Sequence, residues 1–136
     1  MYLGIDLGLK TIGISISNSG IIASSLTTIR YQQIFDGLRE LIKVINEYQS
    51  KIIVFGLPKH MNNDHGKLVD YVNKFAEELQ KMTNVEIVYQ DERLSTKVAL
   101  KSLSDTGIKK DMQKKLKDTV AATIILQNYL DKLNNK

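Results

Sequence analysis

The chain has 136 residues, 43% hydrophobic and 25% charged, the make-up of one ordinary globular domain spanning residues 1–136 around a single core. It has no cysteine, which excludes disulfides and thiolate metal sites. Neither a signal peptide nor a membrane-length apolar run is evident, so a cytoplasmic location is expected. The net charge of +4 is uneven: Lys97 to Lys117 carries seven lysines against two aspartates, more positive charge than the whole chain nets, and a polyanion is expected to lie there.

The first predicted element is a strand in which Leu3, Ile5 and Leu7 alternate with Gly4, Asp6 and Gly8, placing Asp6 alone on the second face. A carboxylate there either stays solvated at a sheet edge or holds something positive, because burying it unpaired is costly. After a tight turn near Leu9 and Lys10, Ile12, Ile14 and Ile16 mark a second strand. Asn18-Ser19-Gly20 signals a hairpin, and a third strand from about Ile21 to Ile29 completes an antiparallel meander.

The period then changes. Ile34, Leu38, Leu41, Ile45 and Tyr48 form one stripe of an amphipathic helix, with Phe35 and Ile42 widening it. The unbroken run Ile52 to Phe55 predicts a strand covered on both faces, ended by Gly56-Leu57-Pro58. A loop from Lys59 to Gly66 holds both histidines, His60 and His65. Leu68, Val72, Phe75 and Leu79 predict a second helix, and Val85 to Tyr89 a fifth strand closed by Asp91-Glu92-Arg93. Ser95 or Thr96 is placed to cap a short helix through Leu103. Residues from Ser104 to Asp111 read as a loop, and a last helix runs from roughly Lys114 to Leu133. The predicted class is α/β: a five-stranded mixed sheet, its first three strands antiparallel, with helices on its faces.

In such sheets ligands gather at the carboxyl ends of parallel strands, where Asp91 and Glu92 fall. Side chains alternate between faces, so only one of the two is expected to share the Asp6 face, and local sequence leaves open which. Asp118 precedes Ala122, Ile125 and Tyr129 at helical spacing; it is either aimed at a site or merely a favourable charge near a helix N-terminus. Carboxylates that converge repel one another unless cations lie between them, and oxygen ligands select magnesium or manganese. A pair of such ions can activate water against a phosphodiester, and the lysine-rich segment runs directly into Asp118.

Gly4-Ile5-Asp6-Leu7-Gly8 with Lys10 to Ser15, Val54 to Pro58, Asp91-Glu92-Arg93-Leu94-Ser95-Thr96, and Asp118 to Ala122 with Leu126 to Leu130 resemble the YqgF/RuvX family of Holliday-junction-resolvase-like proteins. The match runs in order over nearly the whole chain. The resemblance implies a ribonuclease-H-like fold and a bacterial cytoplasmic nuclease that matures the 5′ end of the small-subunit ribosomal RNA precursor, with resolution of branched DNA as the alternative. It carries the catalytic acids onto Asp6, Asp91 or Glu92, and Asp118, with Asp6, Glu92 and Asp118 expected to hold two Mg2+ or Mn2+ ions. Lys10, Arg93, Lys97, Lys109, Lys110, Lys114 and Lys115 are the expected nucleic-acid contacts. The family usually follows its G-L-P with asparagine-methionine and an acidic-glycine pair, whereas this loop reads Lys59-His60-Met61-Asn62-Asn63-Asp64-His65-Gly66.

Bland readings stand beside these. Arg93 suits a salt bridge to Asp91 as well as a phosphate contact, a histidine in a polar loop is more often solvated, and Ser95 and Thr96 suit helix capping. A nucleic-acid-binding factor without turnover would share the same charges. A nucleotide-binding domain of the actin and sugar-kinase type also places an aspartate and glycine after its first strand, but it needs two facing domains, and this chain is too short for that.

Overall fold

A computed structural model of the chain describes residues 1–58, 63–92 and 110–135. It contains β1 (Tyr2–Leu7), β2 (Thr11–Ser17), β3 (Ser24–Arg30), α1 (Ile34–Tyr48), β4 (Ile52–Pro58), α2 (Asn63–Met82), β5 (Glu86–Glu92) and α3 (Lys110–Asn134). The sheet runs β3-β2-β1-β4-β5. β1, β2 and β3 pair antiparallel, and β1–β4 and β4–β5 pair parallel. The mixed sheet expected from the strand patterns is therefore the sheet observed.

Each face has its own core. Leu3, Ile5 and Leu7 of β1, Ile12 and Ile14 of β2, and Ile53 and Phe55 of β4 pack under α1 and α2, whose Leu38, Leu41, Ile45, Val72, Phe75 and Leu79 complete the cluster. Burying each such side chain contributes roughly 1.5–3 kcal/mol. On the opposite face the cluster is smaller: Ala23 and Val54 with Ile125, Leu126 and Leu130 of α3. The unbroken apolar run of β4 serves both, since Ile53 and Phe55 belong to the first cluster and Val54 to the second. α1 ends where Gln49 turns left-handed (φ 52°) and the Ser50 N–H donates to the Ile45 carbonyl at 3.0 Å.

Several boundaries differ from the sequence reading. β3 begins at Ser24, three residues late, and Ile21 and Ile22 are exposed in the preceding turn. Gln127 of α3 holds that turn, donating to the Ile21 carbonyl and accepting from the Ala23 N–H. Phe35 does not widen the buried stripe of α1; it is 61% exposed. α2 starts at Asn63, so His65 and Gly66 lie in a helix rather than in the loop. β5 continues through Asp91 and Glu92. α3 starts at Lys110, four residues earlier than its apolar spacing indicates. Residues 59–62 of the loop, His60 among them, and the short helix expected from Ser95 or Thr96 to Leu103 lie outside the described residues.

Candidate active site

Asp6 is the next-to-last residue of β1 and is half-buried. It pairs with Gly13 of β2, and Gly13 pairs with Thr28 of β3. On the other side Ile5 pairs with Phe55 and Phe55 with Tyr89, so one residue further on Asp6, Gly56 and Gln90 stand level. Asp6 thus has a glycine on each neighbouring strand. Thr28 Oγ1, in the same row, is buried without a hydrogen-bond partner among the described residues.

The same register separates the two acids of β5. Laterally paired residues share a pleat phase. Position 92, two beyond Gln90, has the phase of Asp6, and position 91 has the phase of Ile5, Phe55 and Leu57. Asp91 itself is exposed.

α3 crosses this face at close range where Gly4 and Ser15 lie beneath it. A Cβ at Gly4 would lie 2.6 Å from Leu126 Cβ and 2.8 Å from the Ala122 carbonyl, so only glycine admits the helix at this distance. Ser15, fully buried on β2, donates from Oγ to the Ala122 carbonyl at 2.6 Å. At the other end of the contact the Tyr2 and Tyr129 rings sit 6.2 Å apart. Tyr129 is held above its ordinary phenol pKa, first by burial and then by the Tyr2 ring's charge and Glu86. Helix and strand therefore run in opposite directions.

Position 118 lies eight residues into α3. The influence of a helix terminus fades within the first turn, so an N-terminal dipole does not account for an acid at this position.

Of the expected nucleic-acid contacts, Lys10 is exposed in the β1–β2 turn directly beyond Asp6. Lys110, Lys114 and Lys115 fall within α3, on the run that leads to Asp118. Arg93, Lys97 and Lys109 lie outside the described residues. Among the described residues no group of three or more histidine, cysteine, aspartate or glutamate side chains is placed to hold a metal ion. No helix among them is long and apolar enough to cross a membrane.

Sequence reasoning did not single out Tyr31, which reads as a linker residue between Arg30 and Gln32. Its hydroxyl donates to the Gly8 carbonyl at 2.5 Å and meets the Tyr71 hydroxyl at 2.6 Å. An aromatic ring in an otherwise polar linker was the one available signal.

Comparison with solved structures defines the class. The chain superposes on Thermus thermophilus RuvC in complex with a Holliday junction substrate with a TM-score of 0.62, covering 99% of this chain and 96% of that one at 13% identity. The Fowlpox virus resolvase bound to Holliday junction DNA gives a TM-score of 0.56 at 15% identity, with 97% of each chain covered. The fold is the ribonuclease-H-like fold of the resolvases.

Sequence comparison then gives the family. Residues 1–132 match RuvX, described as Holliday junction resolvase, and the chain belongs to that family. Relatives bearing the name "Putative pre-16S rRNA nuclease" include one from Aster yellows witches'-broom phytoplasma, 46% identical over 95% of this chain and 87% of the relative. Another, from Clostridium beijerinckii, is 40% identical over 98% of both.

Proposed function

We propose that the protein is a metal-dependent endonuclease of the cytoplasm that matures the 5′ end of the small-subunit ribosomal RNA precursor, with Asp6, Glu92 and Asp118 as its catalytic acids. The observation that carries the reading is the setting of Asp6. It lies at the carboxyl ends of three strands in a row made of glycine on both sides, under a helix that bears a second acid. Asp6 itself is half-buried, and glycine on both sides puts no side chain beside its carboxylate.

Two features support the other ligands. Position 92 has the pleat phase of Asp6, which favours Glu92 over Asp91. Along β1, the step from Tyr2 to Gly4 moves the contact on α3 from Tyr129 to Leu126 and Ala122. Two strand residues span about 7 Å and four helix residues about 6 Å, so the next step, from Gly4 to Asp6, leads to position 118.

The donor set fits hard divalent cations: three carboxylates and no cysteine. Two Mg2+ or Mn2+ ions held by these acids would supply an activated water and stabilisation of the leaving oxygen. The chain's own groups do the rest. Asp6 keeps its position through the β1 ladder, and Lys10, Lys110, Lys114 and Lys115 attract the phosphates on either side of the cut. Arg93, Lys97 and Lys109 are proposed to extend that contact, and Asp91, on the opposite pleat phase, is the alternative to Glu92.

Cleavage of a ribosomal RNA precursor and of a four-way DNA junction, each with Mg2+ or Mn2+, by wild type and Asp6→Asn tests the reading. We expect the RNA to be cut by wild type, and Asp6→Asn to lose more than about a hundredfold in rate, beyond what loss of an outer-shell partner costs. Wild-type activity in Asp6→Asn rules out the catalytic role. Cutting confined to the junction moves the substrate to branched DNA, and binding without turnover leaves a nucleic-acid-binding factor.

A further inference from the structure

We propose that Tyr31 is a positioning residue for the site: it holds the β1–β2 turn from both ends and thereby fixes where Asp6 and Lys10 stand. This rests on the reading of Asp6 given above.

Tyr31 belongs to the linker between β3 and α1, yet it grips residues more than twenty positions earlier in the chain. Its backbone N–H donates to the Lys10 carbonyl at 2.9 Å, and its hydroxyl donates to the Gly8 carbonyl at 2.5 Å. The Gly8 N–H is already committed to the Thr11 carbonyl at 2.8 Å. The peptide groups at both ends of the turn are thus tied down, and Gly8 lies two strand residues, about 7 Å, beyond Asp6.

The strut is itself braced. A tyrosine hydroxyl has one proton, and that of Tyr31 goes to Gly8, whose carbonyl can only accept. Tyr71 of α2 must therefore be the donor in the 2.6 Å contact between the two hydroxyls. The chain Tyr71 to Tyr31 to Gly8 runs from a helix on the far face to the site turn. The Tyr31 ring is 6% exposed and lies against Gly37 of α1, where an added Cβ would come within 3.0–3.3 Å of three ring carbons. Burial pushes the Tyr31 pKa well above its ordinary value, so the hydroxyl remains a donor at any working pH.

Tyr31 supplies the side-chain bond to the Gly8 carbonyl and the backbone bond to the Lys10 carbonyl. Removing the Tyr31 hydroxyl therefore frees one end of the turn while leaving the ring to fill its place. A residue that only stabilised the fold would alter the melting temperature and nothing else.

The test measures manganese binding, through loss of the free-ion paramagnetic resonance signal, and cleavage with kcat and KM separated. The proteins are wild type, Tyr31→Phe, Tyr71→Phe, Gly37→Ala and Asp6→Asn. Tyr31→Phe is expected to weaken manganese binding and lower kcat by about tenfold, the equivalent of ~1.4 kcal/mol, with less change in KM. Tyr71→Phe, which leaves the bond to Gly8, is expected to do less. Gly37→Ala, which displaces the ring and removes no hydroxyl, should reproduce part of the Tyr31→Phe defect. Tyr31→Phe with wild-type manganese affinity and kcat, differing only in melting temperature, overturns the proposal. If Asp6→Asn binds manganese and cleaves as wild type does, the failure lies in the reading of Asp6, and the proposal falls with it.

Discussion

The two faces of the sheet are built from different side chains for different ends. Under α1 and α2, Leu, Ile and Phe fill the space between layers, and the Phe55 and Phe75 rings meet edge to face at 6.1 Å between centroids. Under α3 the sheet offers Gly4 and Ser15 beside Val54, and the helix answers with Ala121 and Ala122, both buried. Large side chains hold helices at a distance and contribute most of the hydrophobic stabilisation. Small ones let a helix backbone come within hydrogen-bond reach of a strand side chain, as Ser15 and Ala122 show. An acid on the close face can meet groups from the helix above it, whereas on the other face it would be walled in by hydrocarbon. On the proposed reading, the division places most of the stability on one side and the chemistry on the other.

Emptying the thick face should produce the largest effect on stability. Phe75→Ala removes a fully buried ring from the centre of that cluster and is expected to cost about 3–5 kcal/mol in urea unfolding at unchanged m-value. Set against a typical margin of roughly 5–15 kcal/mol, that is a large fraction. The cleavage rate per folded molecule should nonetheless stay near wild type, since the ring lies across the sheet from Asp6.

Overfilling the thin face should reverse the pattern. The Cβ of Gly4→Ala would sit 2.4 Å from Ser15 Oγ, as well as against Leu126 Cβ and the Ala122 carbonyl. The hydroxyl can swing away; the backbone oxygen cannot, so α3 has to lift. We expect a cost of about 1–3 kcal/mol, smaller than for Phe75→Ala, together with a fall in cleavage rate that exceeds the loss of folded protein. If both variants lose activity only in proportion to stability, the separation of the two faces is wrong.

How much of this was legible in the sequence follows from what local pattern reports. Alternation in Leu3 to Gly8 and Ile12 to Ile16 reads correctly because one face of each strand is apolar. The unbroken run in β4 reads correctly because both its faces are covered. Phe35 misleads because spacing identifies a stripe but not its edge, and this ring falls just outside it. The start of α3 was missed because residues 110–113 carry little apolar spacing, and periodicity reports burial rather than helicity. The difference between Asp91 and Glu92 was out of reach for another reason. It depends on how β5 registers against β4 and β4 against β1, and no local spacing encodes that. That Asp6, Glu92 and Asp118 act together was an expectation that the family resemblance supplied. The glycine row around Asp6 needed the sheet order to be seen at all.

Tyr31 is where the two faces communicate, and its ionisation provides the smallest and most specific test of that link. Its ring packs on the α1 side, while its hydroxyl reaches the turn beyond Asp6. Burial raises its pKa above the ordinary 10.0 in the folded state, so above that pH the folded chain holds a proton that the unfolded chain has lost. The contribution to stability is therefore fully present below about pH 10 and declines as pH rises through the folded-state value. Thermal melts between about pH 9 and 11 should show the consequence. Proton linkage makes the Tyr31→Phe variant gain relative stability on acidification less than wild type does, by up to ~1.4 kcal/mol per pH unit in the alkaline limb. Tyr89 and Tyr129, whose pKa values burial also raises, remain in both proteins, so they cancel in the difference between the two slopes. Coincident slopes would mean that the phenol is solvated in solution, and the connection from the thick face to the site turn would be lost with it.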